Sequence, residues 1–247
     1  MEISLLAIDL DGSALLDDHK TFTPRLYDAL AAAAQKGVAI VPTTGRQYAM
    51  LPPAVRTGAD WEDLCVLCNG GEVRRLRTGG LLYLTQKSWD MQREHEDCLR
   101  FHLSNILTVR GRTVSSLEEV LRQPGLALDK VNLPYIPEGL QAEVEALLKN
   151  APVSFAWSSP HSVEITHSQA TKANGMLAAC RILGVDPART MAIGDSGNDI
   201  PMLRAAALGV AMGSAPQEVK DAADTVTASN MEDGAAMAIE RYILGMQ

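Results

Sequence analysis

Asp9-Leu10-Asp11-Gly12 places two carboxylates two residues apart, directly after an apolar run. A second acidic group, Gly194-Asp195-Ser196-Gly197-Asn198-Asp199, follows another apolar run late in the chain. Between them stand Thr43-Thr44-Gly45-Arg46 and, at the start of a helical pattern, Lys172. Carboxylates brought together cannot all stay ionised unless something cationic neutralises them. An all-oxygen donor set with room for water suits Mg²⁺.

Each segment also has an ordinary reading. Asp-x-Asp-Gly is common in turns, Thr-Gly-Arg is a turn with a solvated arginine, and Gly-Asp-Ser-Gly-Asn-Asp is an N-cap run feeding a helix. Lys172 alone is surface charge, although a lysine in a first helical turn works against the dipole unless an anion compensates. What sets these segments apart is their shared position and order. Open parallel sheets bind ligands at the C-terminal ends of their strands, and the acidic and small polar residues follow predicted strands. If the first strand and the late one are neighbours, Asp9, Asp11, Asp195 and Asp199 converge in one cleft.

The elements that must position them alternate. Ile3–Ile8 reads as a buried strand. Thr23-Pro24 opens a helix with the stripe Leu26, Ala29, Leu30 and Ala33, stopped at Gly37. Val38–Val41 is a second strand, Gln47–Leu51 a helix interrupted at Pro52-Pro53, and Leu64–Leu67 a third strand ending at Asn69-Gly70-Gly71. That order predicts a parallel sheet with right-handed crossovers. The same alternation returns from Thr171 to Leu244. Between the halves the texture changes: a hairpin over Glu72–Leu84 turning at Thr78-Gly79-Gly80, helices around Trp89–Leu99, Leu117–Leu121 and Glu138–Leu148, and strands around Ile106–Val109, Leu128–Leu133, Val153–Trp157 and Ser162–Ile165. This mixture predicts an α+β domain inserted into an α/β domain.

The 247 residues allow one or two domains, and 47% hydrophobic with 21% charged residues excludes a disordered chain or a coiled coil. Aromatics make up only 4%, so the core must be built from Ala, Leu, Val and Ile. The net charge of −8 argues against a nucleic-acid partner but not against a small phosphorylated one. Met1–Ala7 is too short for a signal peptide, and no apolar stretch reaches the roughly 18 residues of a membrane span. Cys65 and Cys68 have the spacing of half a zinc site but lack a second close pair. With Cys98 and Cys180 they read as reduced core thiols of a cytoplasmic protein.

Asp9-Leu10-Asp11-Gly12, Thr44-Gly45-Arg46, Asn69-Gly70-Gly71, Lys172 and Gly194–Asp199 followed by Met202-Leu203 together resemble the haloacid dehalogenase (HAD) superfamily of phosphatases. The likeness is to the branch with a large α+β cap, subfamily IIB, and within it to the Cof-type and sucrose-phosphatase-like group. It covers Met1–Leu84 and His161–Gln247; the segment between matches in position and texture only. Ser13 stands where the family usually has Thr, with the hydroxyl kept. Ala173 stands where a Gly often follows the motif lysine, and Gly175 comes two residues later.

The resemblance implies an α/β fold with a Rossmann-like parallel-sheet core over 1–83 and 162–247 and an inserted, substrate-reading α+β cap over 84–161. It implies Asp9 as nucleophile and Asp11 as general acid, then base. Asp9, Asp195 and the backbone carbonyl of Asp11 would hold Mg²⁺, with Asp199 orienting a metal-bound water. Thr44, with Gly45 in the same loop, and Lys172 would bind the transferring phosphoryl group, Lys172 also restraining Asp9. Asn198 would fix Lys172 or the phosphate, and Arg46 and Asn69 either touch substrate or make structural hydrogen bonds. The implied activity is cytoplasmic, Mg²⁺-dependent hydrolysis of a small phosphorylated metabolite such as a sugar phosphate, through an aspartyl-phosphate, with no nucleic-acid or membrane partner. A phosphomutase uses the same Asp pair and stands as the alternative. A phospho-accepting receiver, the third reading, is about half this length and needs no insertion.

Overall fold

The computed structural model describes residues 2–57, 64–84, 107–109, 112–114, 131–133, 136–159 and 161–246. The first strand, β1 (Leu5–Ile8), is buried at every position. Thr23 then caps α1 (Pro24–Gln35), its hydroxyl accepting the Leu26 N–H at 3.1 Å while Pro24 occupies the first helical position. Leu26, Ala29, Leu30 and Ala33 form its buried stripe. Gly37, at φ 82°, takes the left-handed conformation that turns the chain into β2 (Ala39–Pro42). The helix expected over Gln47–Leu51 is a single 3-10 turn at Tyr48–Met50, and α2 (Pro53–Thr57) begins at the second proline. Proline suits a helix start because the N–H it lacks has no intrahelical partner there.

The third strand, β3 (Leu64–Leu67), departs from the expected parallel order. A tight turn through Cys68–Gly71 sends the chain straight back as β4 (Glu72–Arg75), and β5 (Leu81–Leu84) completes an antiparallel sheet. One parallel bridge, Thr43 to Val66, ties β3 to the end of β2. The turn at Thr78-Gly79-Gly80 is where it was expected, with Gly79 at φ 69°.

Contacts divide the chain into two compact units, Met1–Thr85 with Ala170–Gln247, and Gln86–Gln169. Within the second, β6 (Leu107–Val109) and β7 (Arg112–Val114) pair antiparallel. A further antiparallel sheet holds β8 (Val131–Leu133), β9 (Val153–Ser159) and β10 (Ser162–His167) in the order β8-β10-β9. With α3 (Gln141–Lys149) it encloses a core of Leu133, Ile136, Val144, Leu148, Val163 and Ile165. The helices expected around Trp89–Leu99 and Leu117–Leu121 lie outside the described residues.

The first unit resumes with α4 (Lys172–Leu183). Thr171 caps it, accepting the Asn174 N–H at 3.2 Å, and Gly184 ends it in the left-handed conformation. Then follow β11 (Thr190–Gly194), α5 (Ile200–Ala205), β12 (Leu208–Ala211), α6 (Gln217–Lys220), β13 (Thr225–Val226) and α7 (Gly234–Ile239). The central sheet runs β13-β12-β11-β1-β2, parallel throughout. Alternate residues of β1 serve its two faces: Leu6 and Ile8 join the core of α1 and α7, Leu5 and Ala7 that of α4 and α5. Ile8 lies level with Ile193, so Asp9 and Asp195 leave the sheet at the same edge.

Two glycines set how closely α4 approaches the β3 turn. A Cβ on Gly70, at φ 95°, would lie 1.9 Å from the Thr171 carbonyl oxygen, and one on Gly175 would lie 2.3 Å from Val66 Cγ1 and 2.9 Å from Gly70 Cα. Gly70→Ala is therefore expected to destabilise the protein by about 2 kcal/mol or more. Urea unfolding should show a lower midpoint at an unchanged slope; a wild-type midpoint would contradict this packing.

Candidate active site

Asp9 is the first residue past β1, its N–H still donating to the Ile193 carbonyl at 3.0 Å. The chain then makes a wide turn over Leu10–Ala14, with Ala14 N–H reaching Asp9 O at 3.2 Å and Leu15 N–H reaching Leu10 O at 2.8 Å. Gly12 is required inside it. Its φ is 80°, and a Cβ there would stand 2.3 Å from Asp195 Oδ2. The β1 and β11 loops touch because this residue has no side chain.

Lys172, the first residue of α4, reaches the same place from the other side. Its Nζ donates to Asp9 Oδ1 at 2.5 Å and to Asp199 Oδ1 at 2.6 Å, with all three residues buried. Burial alone would lower the Lys172 pKa, but Asp199 and Asp9 outweigh it, and the ammonium is held above its ordinary value. Burial pushes the Asp9 carboxyl up, opposed by Lys172 and reinforced by Asp199 and Asp195. The other Asp199 oxygen accepts the N–H groups of Asp195 and Ser196 at 3.1 and 3.0 Å and the Ser196 hydroxyl at 3.2 Å. Asp199 thus closes its own loop on itself, and Gly194, where a Cβ would meet Asp199 Cγ at 2.4 Å, leaves it room.

Asp195 completes the acidic group. Ser13 donates to its Oδ1 at 3.3 Å, and burial, with the Asp199 charge, lifts its pKa to about 6. One carboxylate oxygen each from Asp9, Asp195 and Asp199 lie within 4.8 Å of one another. The Asp11 carboxylate is engaged elsewhere. Arg46 grips it in a bidentate pair, Nε to Oδ2 at 2.8 Å and Nη2 to Oδ1 at 2.5 Å, and His19 Nδ1 lies 2.9 Å from Oδ1. Burial would raise the Asp11 pKa, but Arg46 and then His19 bring it below the ordinary carboxylate value.

The remaining expected residues sit close by in sequence or through these partners. Thr44 is buried, its hydroxyl accepting the Arg46 N–H at 3.1 Å across Gly45, and its carbonyl accepting the Asn69 N–H at 3.1 Å. The Arg46 side chain pairs with Asp11. Asn198 sends its amide to Asn69 Oδ1 at 3.1 Å and receives the Ser196 hydroxyl at 2.7 Å. It joins the β11 loop to the β3 turn. Sequence reasoning did not single out His19: a histidine in the polar run Asp17-Asp18-His19-Lys20 has no spacing that ties it to Asp11. Cys65, Cys68 and Cys180 are buried in the apolar cores, and Cys98 lies outside the described residues.

Residues 6–119 and 123–239 match the haloacid dehalogenase-like hydrolase family. The chain belongs to that family. The Bacillus subtilis 5-amino-6-(5-phospho-D-ribitylamino)uracil phosphatase YcsE is 32% identical over 252 residues, 99% of this chain and 97% of its own. Among solved structures, BT1666 of Bacteroides thetaiotaomicron, a phosphatase of the HAD superfamily, has a TM-score of 0.81 at 26% identity, over 97% of this chain and 95% of that one. BT4131, a subclass IIB sugar phosphatase of the HAD superfamily, has a TM-score of 0.78 at 26% identity, over 97% and 98%. The parallel-sheet fold with an inserted cap is the HAD fold, and the chain is an enzyme of the superfamily's phosphatase type. No helix among the described residues is long and apolar enough to cross a membrane.

The raised Asp195 carboxyl gives a pH dependence with a definite sign. Cation binding needs the ionised form, so protons compete as pH falls through about 6. If the acidic group holds Mg²⁺, the dissociation constant should rise as pH falls through about 6, with the raised Asp9 carboxyl acting in the same direction. Calorimetric Mg²⁺ titrations from pH 7.5 to 5 check this; a constant affinity would contradict it.

Proposed function

We propose that the chain is a Mg²⁺-dependent hydrolase of small phosphomonoesters that works through a phosphorylated Asp9. The observation that carries this reading is the state of Asp9. It stands at the C-terminal end of a central strand, buried, with Oδ1 held by Lys172 and with Asp195 alongside. Oδ2 is then the atom that attacks phosphorus. A carboxylate is a weak nucleophile, but phosphoryl transfer depends mainly on positioning and charge neutralisation.

The acidic group fits a hard divalent cation: its donors are carboxylate oxygens within 4.8 Å of one another. Asp9 and Asp195 would hold Mg²⁺, with the backbone carbonyl of Asp11 the family's third protein donor. Asp199 is already committed to Lys172 and to two N–H groups, which favours a positioning role. When bound, the cation neutralises charge on the phosphoryl oxygens and the carboxylates.

As the bond from Asp9 to phosphorus forms, the bond from phosphorus to the ester oxygen breaks, and Asp11 gives its proton to the departing oxygen. In the second half Asp11 takes a proton from water, which attacks phosphorus and releases Asp9. The Arg46 pair favours the ionised, proton-accepting form of Asp11 and opposes the proton-carrying form that the first half needs. Lys172 restrains Asp9, and the Thr44 hydroxyl with the Gly45 loop receives the phosphoryl oxygens. The substrate class we propose is a phosphorylated sugar or related metabolite, supported by the subclass IIB sugar phosphatase and by the YcsE enzyme among the relatives. The inserted segment, about 84–161, would read the leaving group.

Asp9→Asn keeps the shape and removes the nucleophile. Turnover of 4-nitrophenyl phosphate with Mg²⁺ should fall more than a hundredfold, on the order expected for nucleophile loss, with the circular dichroism spectrum unchanged. Chelation should abolish wild-type activity and Mg²⁺ restore it. Asp9→Asn turnover above about a hundredth of wild type, or full activity in a chelator, would overturn the reading.

A further inference from the structure

His19 belongs to no motif, yet it touches both members of the pair that governs Asp11. Its Nδ1 lies 2.9 Å from Asp11 Oδ1, and its backbone carbonyl accepts Arg46 Nη2 at 3.1 Å. The same Nη2 donates to Asp11 Oδ1, so the three residues close a ring. Facing an ionised carboxylate, which only accepts, Nδ1–H is the donor.

The turn that carries His19 is a rigid support. His19 N–H reaches Leu16 O at 2.8 Å, and Leu16 N–H reaches Thr21 O at 2.9 Å. Asp18 accepts the N–H groups of Lys20 and Thr21 at 2.8 and 2.9 Å and the Thr21 hydroxyl at 2.6 Å. Asn230 secures its base through the Leu15 carbonyl at 3.0 Å. His19 itself is held at φ 55°, a left-handed conformation uncommon for a residue with a Cβ. Such positions persist only where the surroundings over-determine them, and they cluster at functional sites.

The contact is poorly placed to serve stability. The His19 and Asp11 side chains are 63% and 38% exposed, and ion pairs at such sites contribute little to folding. It is well placed to fix direction. The bidentate Arg46 pair fixes the carboxylate relative to the guanidinium, and the His19 donor on Oδ1 with its carbonyl on Nη2 ties that pair to a hydrogen-bonded turn.

We propose that His19 is a positioning residue for Asp11, its side chain aiming the carboxylate and its carbonyl aiming the arginine that grips it. This rests on the reading of Asp11 as the proton donor to the leaving group. The consequence is specific: although the His19 contact also favours the ionised carboxylate, loss of the orientation it imposes should outweigh that effect, slowing esters that need their leaving group protonated and sparing those that do not.

The test compares the full chain as wild type, His19→Ala, His19→Asn and Asp11→Asn, each with Mg²⁺, on 4-nitrophenyl phosphate and butyl phosphate. His19→Ala should lose about tenfold in kcat/KM on the alkyl ester and under about twofold on the nitrophenyl ester, a modest misplacement on the scale known for catalytic groups. Asparagine tolerates the left-handed backbone and offers an N–H donor where Nδ1 stood. His19→Asn should return to within about threefold of wild type on both esters, the scale of an adjusted rather than lost hydrogen bond. Thermal midpoints should be unchanged. An equal loss on both esters, no loss on either, or no rescue by asparagine would overturn the proposal. Equal losses on both esters in Asp11→Asn would instead sink the proton-donor reading, and this inference with it.

Discussion

One buried ammonium organises this site. Lys172 sits out of water between Asp9 and Asp199, bonded to both, and an unpaired charge at that depth would cost several kcal/mol. Each partner is therefore conditional on the others. Lysine in the first turn of α4 also opposes the helix dipole, and the two carboxylates supply the compensating charge. The Thr171 cap and the bare backbones of Gly70 and Gly175 bring the start of α4 deep enough for its ammonium to reach the end of β1.

The sheet does the rest by register. β1 and β11 are adjacent and level, so loops that begin 186 residues apart at Asp9 and Asp195 emerge side by side. Gly12 lets them meet, and Asp199 ties its own loop to Lys172. Asn198 and Asn69 join that loop to the β3 turn, whose N–H in turn binds Thr44. Asp9, Thr44, Lys172 and the pair Asp195 and Asp199 are thus spread over four chain segments linked by hydrogen bonds.

Much of this was legible in the residues. The capped first helix, the buried strands and the acidic groups at their ends have local causes: apolar runs, a Thr-Pro start, glycine stops. What was not legible depends on partners distant in sequence. Leu64–Leu67 reads as another parallel strand because nothing within it reveals that the next turn doubles back. The 3-10 turn at Tyr48–Met50 looks helical in composition, and only the following proline shows where the helix truly begins. The Asn198 amide has several polar groups within plausible reach, and its choice of Asn69 is a matter of packing. His19 is invisible for the same reason: its importance lies in where a turn points.

The Lys172 and Asp199 charges are coupled: each loses much of its stabilising effect without the other, while Asp9 keeps its own claim on the ammonium. A double-mutant cycle in urea unfolding, with Lys172→Met, Asp199→Asn and the combination, measures this directly. Each single change should cost about 3–5 kcal/mol, the penalty for breaking a buried pair, and the double variant should cost less than their sum. Additive losses, with no coupling between the two sites, would contradict it.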